Sequence, residues 1–310
     1  MSKAVLVTGA TGKQGGAVNS ALHDLPESNQ FTILALTRSP TSASAQALCK
    51  KYPEVKCVAG DLNDCPAIFE SAVKDAGVNN VWGVFSVQSP FGGGATPESE
   101  EKQGKALVDC SLAAGVRHFV YTSVDRKGEN SDNDATNVPH FISKHNIEKH
   151  LESKCSGDGK MQYTILRPTA FMENLTSDFI GKLFPTMWGR SLAPNRKMQL
   201  ISTKDIGWFA AQAFSKPDEY KGQKISLAGD NLTLEEADRT FREVVGKPIP
   251  TTWGILGSVA MYLIADLGIM FRWINDVGYD ADIGSLKKIH PKLETFRDWL
   301  ARPENGFVGK

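Results

Sequence analysis

The segment Ala4-Val5-Leu6-Val7-Thr8-Gly9-Ala10-Thr11-Gly12-Lys13-Gln14-Gly15-Gly16 constrains this chain more than any other. An apolar run ends at Thr8, and glycines follow at positions 9, 12 and 15. This reads as a buried strand that turns directly into a helix. Gly9 can take backbone angles closed to other residues, Gly12 has no side chain to hold off an anion, and Gly15 lets the helix pack close to the strand. The first turn of such a helix offers unpaired N–H groups and a partial positive charge, which suit a pyrophosphate.

Strand and helix patterns then alternate. A helix is predicted from Gln14 to Leu25, and a strand from Phe31 to Thr37 with Arg38 at its exit. In a dinucleotide fold an acid at that exit accepts the ribose 2′-hydroxyl of NAD, whereas an arginine pairs with the extra phosphate of NADP. Thr37-Arg38-Ser39 has no acid, so NADP(H) is expected; the plain alternative is a solvated loop arginine. Lys13 fits a phosphate contact or an ordinary surface lysine. A third strand ends in Gly60-Asp61-Leu62-Asn63, where Asp61 either meets the adenine edge or caps the next helix. Val81 to Val87 is a fourth strand containing Ser86, Gly92-Gly93-Gly94 a loop suited to a lid, and His118 to Val124 a fifth strand containing Ser123. A helix beginning at Pro139 carries His140 and Lys144 one turn apart on one face, and Gln162 to Pro168 is a sixth strand.

Alternation at this spacing implies an α/β fold with a doubly wound parallel Rossmann sheet, which binds its ligand at the carboxyl ends of the strands. After Pro168 the alternation fails. Residues 1–168 are therefore expected to form the NADP(H)-binding domain, and 169–310 a smaller α+β C-terminal lobe for substrate or partner, with a cleft between them. Helices are expected near Lys204 to Phe214, Leu234 to Val245 and Val259 to Ile274, and Gln199 to Ser202 and Lys224 to Leu227 return to a sheet. The apolar stretch Trp253 to Ile274 is interrupted by Gly254, Gly257, Asp266, Gly268 and Arg272, which argues for a helix in the core or a pocket lid and against a membrane span.

In 310 residues, 35 basic and 35 acidic side chains cancel, so no global field draws the chain to nucleic acid or a membrane surface. The five cysteines are odd in number and form no CxxC pair; reduced thiols in a cytoplasmic protein account for them. Met1 is followed at once by the first strand, so no signal peptide is expected. No metal site, nucleophile elbow or Walker turn is present in the sequence.

With these pieces in order the sequence resembles the NmrA-like family, a branch of the atypical short-chain dehydrogenase/reductase superfamily, over nearly its whole length. The segments that carry the resemblance are Gly9 to Gly16, Pro139-His140-Phe141-Ile142-Ser143-Lys144, Leu166 to Asn174, and Ser202-Thr203-Lys204-Asp205-Ile206-Gly207. The resemblance implies bound NADP(H) or NAD(H) and divides on function. Some members are dinucleotide-sensing regulators that bind partner proteins, and related branches reduce quinones, phenylpropanoids or other carbonyl compounds with NADPH. In the superfamily's enzymes a tyrosine four residues before the lysine gives the proton, and a serine on strand five holds the carbonyl oxygen. Ser123 and Lys144 match, but His140 stands at the tyrosine position.

His140 then serves as general acid or as a hydrogen bond at the helix start, and Ser123 as a ligand contact or a strand-end cap. The expected cofactor-binding residues are Gly9, Thr11, Gly12, Lys13, Gln14, Gly15, Arg38, Asp61, Leu62, Ser86, Lys144 and Pro168, and the expected catalytic residues are Lys144, His140 and Ser123. Phe171, Met172, Trp188, Trp253, Tyr262 and Phe271 are expected to line an apolar substrate site or to pack in the core. The expected partner is a small apolar substrate or, for a regulator, a protein, in a monomer or homodimer. The regulator reading also admits a nuclear location.

Overall fold

A computed structural model describes residues 3–26, 31–157 and 161–308. The first half runs β1 (Lys3–Val7), α1 (Lys13–His23), β2 (Phe31–Thr37), α2 (Ala43–Lys51), β3 (Lys56–Ala59), α3 (Cys65–Ala76), β4 (Gly83–Ser86), α4 (Pro97–Ala113), β5 (His118–Thr122), α5 (Pro139–Cys155) and β6 (Gln162–Pro168). The second runs β7 (Ala170–Phe171), α6 (Phe179–Ser191), β8 (Met198–Ile201), α7 (Thr203–Ser215), α8 (Pro217–Tyr220), β9 (Lys224–Leu227), β10 (Asp230–Leu232), α9 (Leu234–Val245), α10 (Gly254–Leu263), α11 (Ala265–Asp276), α12 (Ile283–Ile289) and α13 (Phe296–Leu300).

Two compact units alternate along this chain. Met1–Ser123, Ser143–Leu166 and Ile206–Ile225 form the first, and Val124–Ile142, Arg167–Asp205 and Ser226–Lys310 the second. The expected boundary after Pro168 falls at the end of β6. In place of a single cut, α5, β6, α7 and β9 each begin in one unit and end in the other.

The first unit is built on a seven-stranded sheet of order β3-β2-β1-β4-β5-β6-β9. The pairings from β3 to β6 are parallel, with Leu6 opposite Leu34 on one side and Val84 on the other. Helices cover both faces, so β4 and β5 are buried at every residue. Leu6, Leu34, Ile68, Val84, Leu107, Phe119 and Ile147 lie in one core cluster. Strand order reverses between β1 and β4, and a doubly wound sheet opens its ligand crevice at that point.

At the opposite end of β5, His118 is fully buried against Trp82 and Phe214, with Nε2 3.0 Å from the Thr164 hydroxyl. Burial pushes its imidazole down to about 4. The unfolded ring titrates at about 6.5, so between these values the unfolded chain binds more protons, and stability falls as pH drops below about 6.5. About 2 kcal/mol should be lost between pH 7 and pH 5 from this group. Urea unfolding at the two pH values checks it: His118→Asn should lack that increment, and an unchanged difference would exclude His118 as its source.

The second unit has a three-stranded sheet, β10-β8-β7, antiparallel between β10 and β8 and parallel between β8 and β7. Phe141, Met172, Trp188, Leu200, Phe271, Trp273 and Trp299 lie in its core. Buried carboxylates tie its segments together. Glu173 accepts from the Thr203 N–H at 3.1 Å and Trp299 Nε1 at 3.0 Å, while Asp205 meets His290 Nε2 at 3.0 Å and accepts from the Glu294 N–H at 3.1 Å. Glu173, Thr203 and Asp205 thus help hold this unit together.

One expectation changes here, and another divides between its two alternatives. Val259 to Ile274 is not one helix: α10 and α11 are separated at Ile264, whose φ of −112° and ψ of 80° leave the helical region. A Cβ on Gly268 would stand 2.9 Å from the Met261 carbonyl, so the two helices meet too closely there for a side chain. Of the proposed apolar lining, Met172, Trp188 and Phe271 are buried in the core, whereas Trp253 and Tyr262 are 79% and 85% exposed. No helix among the described residues is long and apolar enough to cross a membrane.

Candidate functional site

The glycine turn leaves β1 at the point where the sheet's strand order reverses. Thr8 fixes it there, donating through its hydroxyl to the Val87 carbonyl at 3.0 Å and accepting from the Val87 N–H at 2.7 Å. Gly9 has φ of +56°, and the Gly12 N–H closes the turn on the Gly9 carbonyl at 2.8 Å. A Cβ on Gly15 would stand 2.3 Å from that same carbonyl oxygen and 2.7 Å from the Thr8 oxygen, so α1 rests directly on the turn's backbone. The helix start carries no side-chain cap at Gly12 and no acid in its first turn. Thr11, Gly12 and Lys13 are exposed. Gln14 is held by the Thr122 hydroxyl at 2.7 Å from the end of β5. An open helix N-terminus beside glycines with no Cβ to block approach fits a pyrophosphate-bearing dinucleotide.

Arg38 is exposed immediately after β2, and no described carboxylate pairs with it. The Gly60 N–H reaches the Thr37 carbonyl at 3.1 Å, which sets the next turn beside it. Asp61 is exposed and holds its own turn, accepting at 2.8 Å from both the backbone and the side-chain amide of Asn63. The cap of α3 is Asp64, so Asp61 does not spend its carboxylate there. Leu62 is half-buried against the core.

At the end of β4, Ser86 is fully buried and accepts from Gln88 Nε2 at 3.0 Å. Gln88 is itself buried, and its Oε1 has no hydrogen-bond partner among the described residues. Ser123, also buried, uses its backbone N–H on the Leu166 carbonyl at 2.7 Å.

Lys144, 12% exposed at its side chain, puts Nζ 2.6 Å from Oε1 of Glu100 on α4. Glu100 is fully buried, and its second oxygen accepts a short hydrogen bond from the Ser143 hydroxyl. The glycine turn, Arg38, Asp61, Leu62, Ser86, Ser123 and Lys144 all belong to the first unit.

His140 and Pro168 are described with the second. His140 Nδ1 lies 2.7 Å from Asp266 Oδ1 in α11, and its ring meets Phe141 edge-on at 4.7 Å. Asp266 is thus more than a charge interrupting an apolar stretch. Its other oxygen is buried without a partner among the described residues. Pro168 is buried, and its carbonyl accepts from the Asp125 N–H at 3.0 Å.

The sequence pattern of the NmrA-like family matches residues 1–300. The chain belongs to the NmrA-like family. It is 24% identical over 306 residues to the NmrA-like family domain-containing oxidoreductase FrzB of Cladobotryum sp, covering 90% of this chain and 85% of FrzB. Its fold is similar to that of the NADPH-dependent quinone oxidoreductase QOR2 of Escherichia coli complexed with NADPH, at TM-score 0.71 and 23% identity over 96% of this chain and 98% of that one. It is similar also to NmrA, a negative transcriptional regulator, in complex with NADP, at TM-score 0.67 and 15% identity over 97% and 95%. These two structural likenesses are of fold.

Three residues of this NmrA-like chain escaped the sequence reading. Glu100 sits in the acidic first turn of α4, a charge that any helix start favours. Gln88 directly follows an apolar strand, which was its one available signal, and Asp266 lies 126 residues from its partner His140.

Proposed function

We propose that this chain binds NADP(H) on the Gly9 to Gly15 turn and reduces a small apolar carbonyl, enone or quinone. The observation that carries the reading is the Lys144 ammonium, fixed by a buried carboxylate in the same unit as a glycine turn shaped for a pyrophosphate. Gly12, Lys13, Gln14 and Gly15 receive the pyrophosphate, Arg38 the 2′-phosphate, and Asp61 with Leu62 the adenine side. Ser86 and Pro168 contribute at the sheet's carboxyl edge.

NADPH, when bound, supplies the hydride. Lys144 holds the nicotinamide ribose and, with Ser123, lowers the energy of negative charge developing on the substrate oxygen. His140, one turn before Lys144 and hydrogen-bonded to Asp266, supplies the proton that tyrosine gives in related enzymes. Neutralising that oxygen completes the reduction.

A redox-sensing regulator is the second reading. It is favoured by exposed apolar side chains on α6 and before or within α10, with Ile180 at 71%, Trp253 at 79% and Tyr262 at 85% exposure, which suit a protein partner. In that reading NADP(H) occupancy changes the Gly92 to Gly94 loop, whose three glycines all have positive φ.

Cofactor choice is tested by titration. NADPH should bind about a hundredfold more tightly than NADH, since the arginine–phosphate pair is charge-assisted, and Arg38→Ala should bring the two within about threefold. An unchanged preference would exclude Arg38 as the discriminating residue. Consumption of NADPH above its rate without acceptor, on adding a quinone, tests the reductase.

A further inference from the structure

We propose that Glu100 is the residue that positions Lys144 for the cofactor, a role resting on the reading of Lys144 as a nicotinamide-ribose contact. Glu100 is fully buried, yet both carboxylate oxygens are engaged by consecutive residues of α5. Oε1 takes the Lys144 ammonium at 2.6 Å, and Oε2 takes the Ser143 hydroxyl.

An ammonium has three donors. One goes to Glu100, and no other described group receives either of the remaining two. The carboxylate therefore fixes the direction of the side chain and leaves two N–H groups for neighbouring hydroxyls, such as those of a ribose. Without it, the flexible four-carbon stem has no fixed orientation.

The backbone is built for this meeting. Thr96 and Ser99 cap the start of α4 reciprocally, with the Ser99 N–H 3.2 Å from the Thr96 hydroxyl and the Thr96 N–H 2.9 Å from the Ser99 hydroxyl, and this sets where Glu100 emerges. One turn further along each helix, Gly104 faces Ile147, and a Cβ on Gly104 would stand 2.4 Å from Ile147 Cδ1. A larger residue at 104 would require the Ile147 side chain to shift. The approach of the two helices brings Glu100 onto Ser143 and Lys144.

The test compares two ligands. NADPH carries both ends of the cofactor, whereas adenosine 2′,5′-bisphosphate carries only the adenosine end, away from the ribose assigned to Lys144. Affinities for both are measured by calorimetry on the full chain, in the unsubstituted protein, Glu100→Gln, Glu100→Asp, Lys144→Ala, and Glu100→Gln with Lys144→Ala.

Glu100→Gln should weaken NADPH about tenfold and leave the bisphosphate within about twofold. Glu100→Asp, which keeps the charge, should recover part of the loss. On the Lys144→Ala background Glu100→Gln should add nothing further. If the glutamine variant does not fold, the Glu100→Asp comparison alone decides by the same two ligands. Equal weakening of both ligands, no weakening of either, or full additivity with Lys144→Ala would overturn the positioning role. NADPH affinity unchanged by Lys144→Ala would instead overturn the reading of Lys144 on which it rests.

Discussion

Gly15→Ala should lower NADPH affinity by at least about a hundredfold, while Gly16→Ala next to it should change it by less than about twofold. The contrast follows from what each added methyl meets. At Gly15 it would stand 2.3 Å from the Gly9 oxygen, 2.6 Å from the Gly9 carbonyl carbon and 2.7 Å from the Thr8 oxygen. All three are backbone atoms of the turn itself, so relief requires α1 or the turn to move. Overpacking of this kind costs about 1–3 kcal/mol, and the displaced N–H groups no longer converge on one anion. At Gly16 the nearest contact is the Ala10 oxygen at 3.8 Å, an ordinary van der Waals distance. Fluorescence titration of NADPH measures both variants, and equal affinities would show that the turn does not bind the pyrophosphate.

Lys144→Ala carries the second large effect, on two observables at once. It removes the ammonium assigned to the nicotinamide ribose and the developing oxyanion, so acceptor-dependent oxidation of NADPH should slow by about 10²-fold or more. It also leaves Glu100 as a buried carboxylate whose charged partner is gone. Breaking a buried pair from one side costs about 3–5 kcal/mol, more than removing both partners. Urea unfolding should therefore show Lys144→Ala less stable than the combined Lys144→Met and Glu100→Gln variant. Equal stabilities would mean that the carboxylate finds other partners and that the pair carries little energy.

How much of this was legible in the sequence differs from element to element for physical reasons. The strand–turn–helix at Gly9 to Gly15 is written as missing side chains at fixed spacing, and its steric demand is local. The parallel sheet follows from apolar runs separated by helix-length connections. The interleaving of the two units was not legible, because α5 carries little apolar periodicity and that of α7 marks a buried face without saying which unit covers each end.

The break at Ile264 had no proline or glycine to announce it. The nearest glycine, Gly268, lies four residues on and marks where α10 and α11 approach, not the residue at which the helix stops. Met172, Trp188 and Phe271 could not be separated from Trp253 and Tyr262 by type, since an aromatic or sulfur side chain suits a core and a ligand site equally. Glu100 and Asp266 are the clearest cases. Each is an acid in the first turn of its helix, and each meets its partner only through tertiary packing, across 44 and 126 positions.

Single-turnover oxidation of protein-bound NADPH, with a quinone, an enone and an aldehyde as acceptors, tests the central claim most directly. The reading predicts that the absorbance of the reduced nicotinamide decays faster than without acceptor for at least one of the three, and that Lys144→Ala slows that decay by about 10²-fold. Tightly bound NADPH that outlasts every acceptor at the rate seen in buffer would contradict the reductase and favour the regulator.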